Sequence, residues 1–367
     1  MKSSFRIGKI AGIEIDVHIT LFIVLIIFSY ALYYTPFPYG FLGIPYGSWV
    51  RVILSITFSI SLFLAVLSHE LSHSIVGRRR GVKVKGIILF IFGGVSMLED
   101  MPKEPKKEIE IAFAGPLMSI FIGVVFYGIS LIEIPALAEF SRVFSIYNFI
   151  LAFFNLIPAF PLDGGRILRG LLAKRMGFVN ATRIAAETGK MMAFMIGIFG
   201  LFVNPWLIII ALFIYMGANE EEKIVMIENV LKRVKIMDIM SHDPLTISPE
   251  TTVGEVLEMM LIYKHLGYPV VEDGKLIGIV TLKDISNASE DVPVSEVMTR
   301  DVVTISPLSS AFDAFKLMNE RKIGRLPVVD DDRVVGIVSR TDLMRTLEII
   351  GIQETFKEVR RIAKPSV

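Results

Sequence analysis

His69-Glu70-Leu71-Ser72-His73 sets two imidazoles four residues apart, with a carboxylate between them. Four residues is about one helical turn, so on a helix both rings share a face and can reach one ion. Glu70 neighbours that face, where it can take a proton from an activated water. The chain has no cysteine, so a zinc ion would have to be held by His, Asp or Glu. A catalytic zinc usually keeps three protein ligands and one open position, so a third donor must come from elsewhere. Two residues are candidates. His18 stands at the start of an apolar run, and Asp163 follows Asn155-Leu-Ile-Pro158-Ala-Phe-Pro161-Leu and precedes Gly164-Gly165. Pro158 and Pro161 break a helix, and the two glycines permit a tight turn that can aim Asp163 into a cavity. A carboxylate at membrane depth is costly unless paired or bound to metal. The plainer role for Asp163 is to cap the next helix.

The elements that must position these residues are membrane helices. The 367 residues are 53% hydrophobic and only 20% charged, with mean hydropathy +0.61, beyond the range of an ordinary soluble domain. The excess lies in the first 220 residues. Apolar runs at 19–33, 52–76, 111–132, 144–160, 191–202 and 206–216 predict about six transmembrane helices, the last two split by Asn204-Pro205. The first run has no cleavage site after it and reads as an anchor. Gly86 to Leu98 is apolar but too short to span, and Gly93-Gly94 would weaken a helix. It reads as a re-entrant or strand-like segment, which must be lined by protein or water.

Basic residues set the expected orientation. They cluster at Lys2, Arg6 and Lys9, at Arg78 to Lys85, and at Arg166 to Arg175, while 35–49 has no charge. The positive-inside rule then places both termini in the cytoplasm of a multi-pass cell-membrane protein. HELSH and Asp163 fall near the same side. The net charge of +1 gives no reason to expect nucleic acid.

HExxH in one span and N-x-x-P-x-x-P-x-D-G in a later one resemble the site-2 protease family of intramembrane zinc metalloproteases. Gly93-Gly94-Val95 and Ala114-Gly115-Pro116 match further pieces, and the resemblance covers about residues 1–225. Ser72 departs from the glycine many members carry, but keeps a small side chain. The resemblance implies His69, His73 and Asp163 as ligands of one zinc and Glu70 as general base. It also implies Asn155 as a donor to the oxyanion or to the substrate backbone, against the plain reading of a polar contact between helices. The implied reaction is peptide-bond hydrolysis in or near the transmembrane segment of a single-pass substrate in the lipid bilayer. The segment 86–98 would offer a strand edge to that substrate; its plain reading is a packing loop.

From Ile236 the composition turns soluble and a gapless repeat appears at an offset of 58. Between 240–284 and 298–342, 16 of 45 positions are identical, enough to read two copies of one unit. Each reads strand, helix, strand, strand, helix. Pro-Val-Val, Gly-Ile-Val, Thr281-x-x-Asp284 and Ser339-x-x-Asp342 resemble a pair of cystathionine-β-synthase (CBS) domains. That resemblance implies adenine-nucleotide binding (ATP, ADP or AMP), with Asp284 and Asp342 toward ribose and Thr281 and Ser339 toward phosphate, and a homodimer formed through the pair. The plain role of both Asp residues is to cap the following helices.

The expected architecture is an α-helical polytopic membrane domain (1–218) with about six transmembrane helices and a short re-entrant or strand-like segment. A linker helix (219–235), an α/β tandem CBS domain (236–290 and 294–350) and a tail (351–367) follow. Because CBS pairs also serve ion transporters and channels, a CBS-regulated carrier is the alternative function. Such a carrier should show repeats in its membrane half, and none is evident.

Overall fold

The computed structural model describes residues 4–90, 93–99, 103–132 and 134–350; the tail 351–367 lies outside them. The chain forms two compact units, Met1–Lys223 and Ile224–Val367.

The first unit runs β1 (Ser4–Ile10), β2 (Ile13–His18), α1 (Thr20–Tyr34), α2 (Ser48–Arg79), β3 (Lys83–Phe90), β4 (Gly93–Glu99), α3 (Pro105–Ser130), α4 (Leu137–Asn155), α5 (Asp163–Met176), α6 (Phe178–Val203) and α7 (Trp206–Leu231). By length and composition α2, α3, α4 and α6 can cross a membrane, and α1 is a shorter apolar helix. Their outward faces are apolar: Ile53, Leu64, Phe121, Phe194 and Phe202 are exposed. Such a surface needs a covering, and on these helices a bilayer supplies it. The protein is a multi-pass membrane protein. The runs 191–202 and 206–216 lie in α6 and α7, and Asn204 Oδ1 accepts the Trp206 N–H at the break (3.0 Å). The fourth span stops at Asn155 rather than running to Phe160, because Pro158 and Pro161 follow.

The strand-like segment is a hairpin, β3–β4, within a four-stranded sheet of order β1-β2-β3-β4. Only β2 and β3 are parallel. Ile13, Val17, Ile87 and Leu89 bury one sheet face against Leu67 and Leu71 of α2. The β1–β2 hairpin carries the N-terminal basic residues Arg6 and Lys9. Its Lys9 pairs with Glu14 at 2.9 Å, with Arg6 alongside, which together hold the half-buried Glu14 carboxyl below its ordinary pKa.

The expected linker 219–235 is not a separate helix. α7 runs unbroken from Trp206 to Leu231. Its acidic run makes ion pairs: Glu221 meets Arg169 and Glu222 meets Lys190.

The second unit contains β5 (Ser241–His242), α8 (Val253–Tyr263), β6 (Gly267–Glu272), β7 (Lys275–Thr281), α9 (Leu282–Ile285), α10 (Val294–Val297), α11 (Ala311–Arg321), β8 (Arg325–Asp330), β9 (Arg333–Ser339) and a final helix over 340–350. The repeat holds residue for residue. Gly267 pairs Thr281 in one hairpin and Arg325 pairs Ser339 in the other, with bulges at Val270/Val271 and Val328/Val329. Thr252 with Glu255, and Ser310 with Asp313, form matching capping boxes. The copies exchange their leading segments. Met240 packs over Gly336 and Met298 over Gly278, where a Cβ would come within 2.5 and 2.3 Å of the methionine sulfurs.

Candidate active site and a second cavity

Near its C-terminal end α2 carries His69, Glu70 and His73, the two imidazoles one turn apart and both buried. Asp163 is the first residue of α5, set there by the turn after α4. Gly164 and Gly165 let that turn close: a Cβ on Gly164 would lie 2.3 Å from the carbonyls of Leu156 and Ile157, and one on Gly165 2.6 Å from the Phe160 nitrogen. The result brings together the three residues expected to bind metal. Asp163 Oδ2 lies 3.2 Å from His69 Nε2 and 3.1 Å from His73 Nε2, and one donor atom from each residue falls within 4.8 Å of the others. Donors at about 2.0–2.2 Å from one tetrahedral ion stand roughly 3.3 Å apart, so the spacing suits zinc.

The outer contacts support the same reading. His73 Nδ1 is 2.7 Å from the Ile111 carbonyl. A carbonyl only accepts, so Nδ1 carries the hydrogen and Nε2 presents its lone pair to the centre. His69 Nδ1 meets Ser119 Oγ at 2.9 Å. Gly115 of α3 faces the two Nε2 atoms; a Cβ there would be 2.2 Å from His73 Nε2 and 2.5 Å from His69 Nε2. The glycine keeps open the space where the donors converge.

Glu70 is held by β4. Its Oε2 accepts from Ser96 Oγ (2.7 Å) and from the Ser96 N–H (3.1 Å), while Ser96 Oγ also reaches the Glu70 carbonyl (3.0 Å). Gly94 makes room, since a Cβ there would be 2.5 Å from Glu70 Cγ. Replacing Ser96 by Ala should leave the backbone contact and lower kcat by roughly 10-fold with zinc content unchanged, measured by steady-state cleavage and metal analysis.

The remaining candidates sit elsewhere. His18 is satisfied locally, its Nδ1 2.9 Å from Thr20 Oγ1. Asn155 ends α4, and its Nδ2 donates back to the Leu151 carbonyl (3.0 Å). Ile111, Ser119 and Ser96 carried no signal of their own in the sequence; Gly94 and Gly115 did, as parts of small-residue motifs.

In the second unit a cavity of about 630 Å³ is lined by Lys264, His265, Tyr268, Arg325, Ser339 and Asp342, among others. Ser339 donates to Asp342 Oδ2 from both N (2.9 Å) and Oγ (2.6 Å). Thr281 and Asp284 repeat that cap (2.8 and 2.6 Å) but do not line the cavity, and Thr299 also reaches Asp284 Oδ1 (3.4 Å). The two copies are therefore inequivalent, and both Asp residues do cap helices. Burial raises the Tyr268 hydroxyl and lowers the Arg325 guanidinium from their ordinary values.

Residues 57–141 and 130–198 match peptidase family M50, and residues 236–291 and 294–349 match CBS domains. A zinc metalloprotease of Methanocaldococcus jannaschii is 38% identical over 98% of this chain and 100% of its own. A solved site-2 protease from the same organism is 39% identical, covering 60% of this chain and 95% of that one at TM-score 0.43. A CBS pair solved with 5′-methylthioadenosine and S-adenosyl-L-methionine is 32% identical, covering 31% of this chain and 96% of that one at TM-score 0.30. The chain belongs to the M50 family of zinc metalloproteases, the site-2 protease type, and carries a tandem CBS pair. The transporter or channel alternative is not favoured.

Proposed function

We propose that His69, His73 and Asp163 hold one zinc ion and that Glu70 is the general base for hydrolysing a peptide bond of a single-pass membrane protein. The observation that carries this reading is the convergence of Asp163 Oδ2 on both Nε2 atoms (3.2 and 3.1 Å). When bound, zinc polarises the scissile carbonyl and lowers the pKa of water toward about 7. Glu70 takes the water proton, the hydroxyl adds to the carbonyl carbon, and Glu70 returns the proton to the departing amine nitrogen as the C–N bond breaks. Ser96 keeps Glu70 oriented through both steps. Asn155 is suited to bind the substrate backbone or the oxyanion, for which its amide must leave the Leu151 carbonyl.

The substrate segment must be extended, because helical carbonyls are hydrogen-bonded and shielded. β4 is an edge strand beside Glu70, and it is the surface to which such a segment would add as a further strand. Both termini face the cytoplasm, a reading supported by the basic residues at Arg78 to Lys85 and Arg166 to Arg175.

The 630 Å³ cavity takes an adenine nucleotide that regulates cleavage. Its size suits a small molecule, its Lys264, His265 and Arg325 suit phosphate, and the Asp342 carboxylate suits ribose hydroxyls. The pair also forms the homodimer contact. Replacing Asp342 by Ala should abolish AMP binding by calorimetry, while Asp284→Ala should leave it within about 3-fold, both losing about 1 kcal/mol of helix capping. The test of the catalytic reading is cleavage of a single-pass substrate by the purified full chain. A chelator should stop it and added zinc restore it; cleavage indifferent to chelator would contradict the reading.

A further inference from the structure

Arg169 is a buried cation that the reaction does not use. Its side chain is 2% exposed, six residues after Asp163 on α5. Nε donates to Glu108 Oε1 of α3 at 2.7 Å, Nη2 lies 2.5 Å from the same oxygen, and Nη1 donates to Glu221 Oε1 of α7 at 2.8 Å. Glu108 is fully buried and Glu221 is 29% exposed at the side chain. The guanidinium also stacks near two aromatic rings, 4.9 Å from the Phe160 centroid and 4.7 Å from that of Phe178. One side chain thus joins α3, α5, α6, α7 and the turn before Asp163.

Each of these partners bears on the donor cluster. Phe160 belongs to the turn that delivers Asp163. Glu108 lies one residue short of a turn before Ile111, whose carbonyl fixes His73. Gly170, next to Arg169, lets α5 approach α3 closely; a Cβ there would meet Ile109 Cγ1 at 2.6 Å. α7 presses on the same turn, with Gly217 against Pro161 and Ala218 beside Phe160. A buried charge removed from only one side of such a network leaves its partners uncompensated, so the network holds one arrangement of α5 against α3.

We infer that Arg169 is a positioning residue: with Glu108 and Glu221 it fixes the start of α5 so that Asp163 meets His69 and His73. Asp163 reaches the cluster from a turn rather than from a helix interior. Its placement therefore depends on what anchors α5, and Arg169 is that anchor. The inference rests on the zinc-ligand reading above.

The test measures zinc affinity of the full-length protein in detergent by competition with a chelator, alongside thermal unfolding of the zinc-free form and kcat and KM. Arg169→Lys keeps the charge but loses the fork and the stacking, and should weaken zinc by about 10-fold or more. It should lower kcat at unchanged KM. Glu221→Gln, at a partly exposed position that tolerates neutralisation, should move both in the same direction by a smaller factor, and carries the test if Arg169→Lys does not fold. Lys190→Met removes the α6–α7 pair with Glu222 (2.6 Å) and controls for stability, with zinc affinity expected at the wild-type value. If Arg169→Lys and Glu221→Gln melt earlier but bind zinc as wild type does, Arg169 is merely structural and the inference falls. Zinc lost in Asp163→Asn but kept in Arg169→Lys would sink this inference alone. No zinc in folded wild type would sink the ligand reading with it.

Discussion

Replacing Glu70 by Gln is expected to leave one zinc per chain and lower cleavage by about 10²- to 10⁴-fold, the usual contribution of a positioned proton-transfer group. Gln keeps the length and can still meet Ser96, so α2 and β4 should stay together. It cannot accept and return the proton. Because Glu70 lies outside the three donor atoms that converge, the metal should not notice the change. Metal analysis and a cleavage time course separate the two effects. Zinc lost together with activity would mean that Glu70 acts as a ligand, which the geometry does not support.

The second large effect is expected at Gly115. In an ordinary helix, replacing Gly by Ala stabilises by about 1 kcal/mol, because the chain loses less entropy on folding. Here the added methyl would fall 2.2 Å from His73 Nε2 and 2.5 Å from His69 Nε2. Neither contact ends in a flexible tip: both rings are buried and each is tied through its other nitrogen, to Ile111 and to Ser119. Gly115→Ala should therefore displace the two rings, melt earlier than wild type in the zinc-free form because the buried site is overpacked, and fail to hold zinc or cleave. A variant that bound zinc normally would show that the donors converge somewhere other than over α3.

How much of this was legible in the sequence depended on how local each signal was. HELSH is local: two histidines one turn apart need only a helix, and α2 supplied it. Asp163 needed the turn chemistry of Pro158, Pro161, Gly164 and Gly165 together with the family resemblance, since His18 stood equally close to an apolar run. The repeat at offset 58 carried over to the pairing register, because register follows side-chain alternation and turn position. Other features were hidden because their meaning lies across the fold. The apolar run begins only at 111, yet α3 begins at Pro105, a residue suited to a first helical turn, and Glu108 in that turn is buried on Arg169. Arg169 read as one of several cytoplasmic basic residues. The β1–β2 hairpin showed only its basic residues, since its strands are short and the partner of β2, β3, is some 70 residues away. Ser96 lies in a strand whose neighbour across the fold, Glu70, is 26 residues earlier. The two Thr/Ser-x-x-Asp motifs are identical in kind, and only their surroundings show that Asp342 lines a cavity and Asp284 does not.

The central claim is that His69, His73 and Asp163 make one zinc site. Metal analysis of the purified full-length protein, wild type beside Asp163→Asn, tests it most directly. The expected result is one zinc per wild-type chain and a loss of zinc in Asp163→Asn, with both proteins monodisperse. Equal zinc in the two would contradict the account, because the third donor would then have to come from a residue other than the one that α5 delivers.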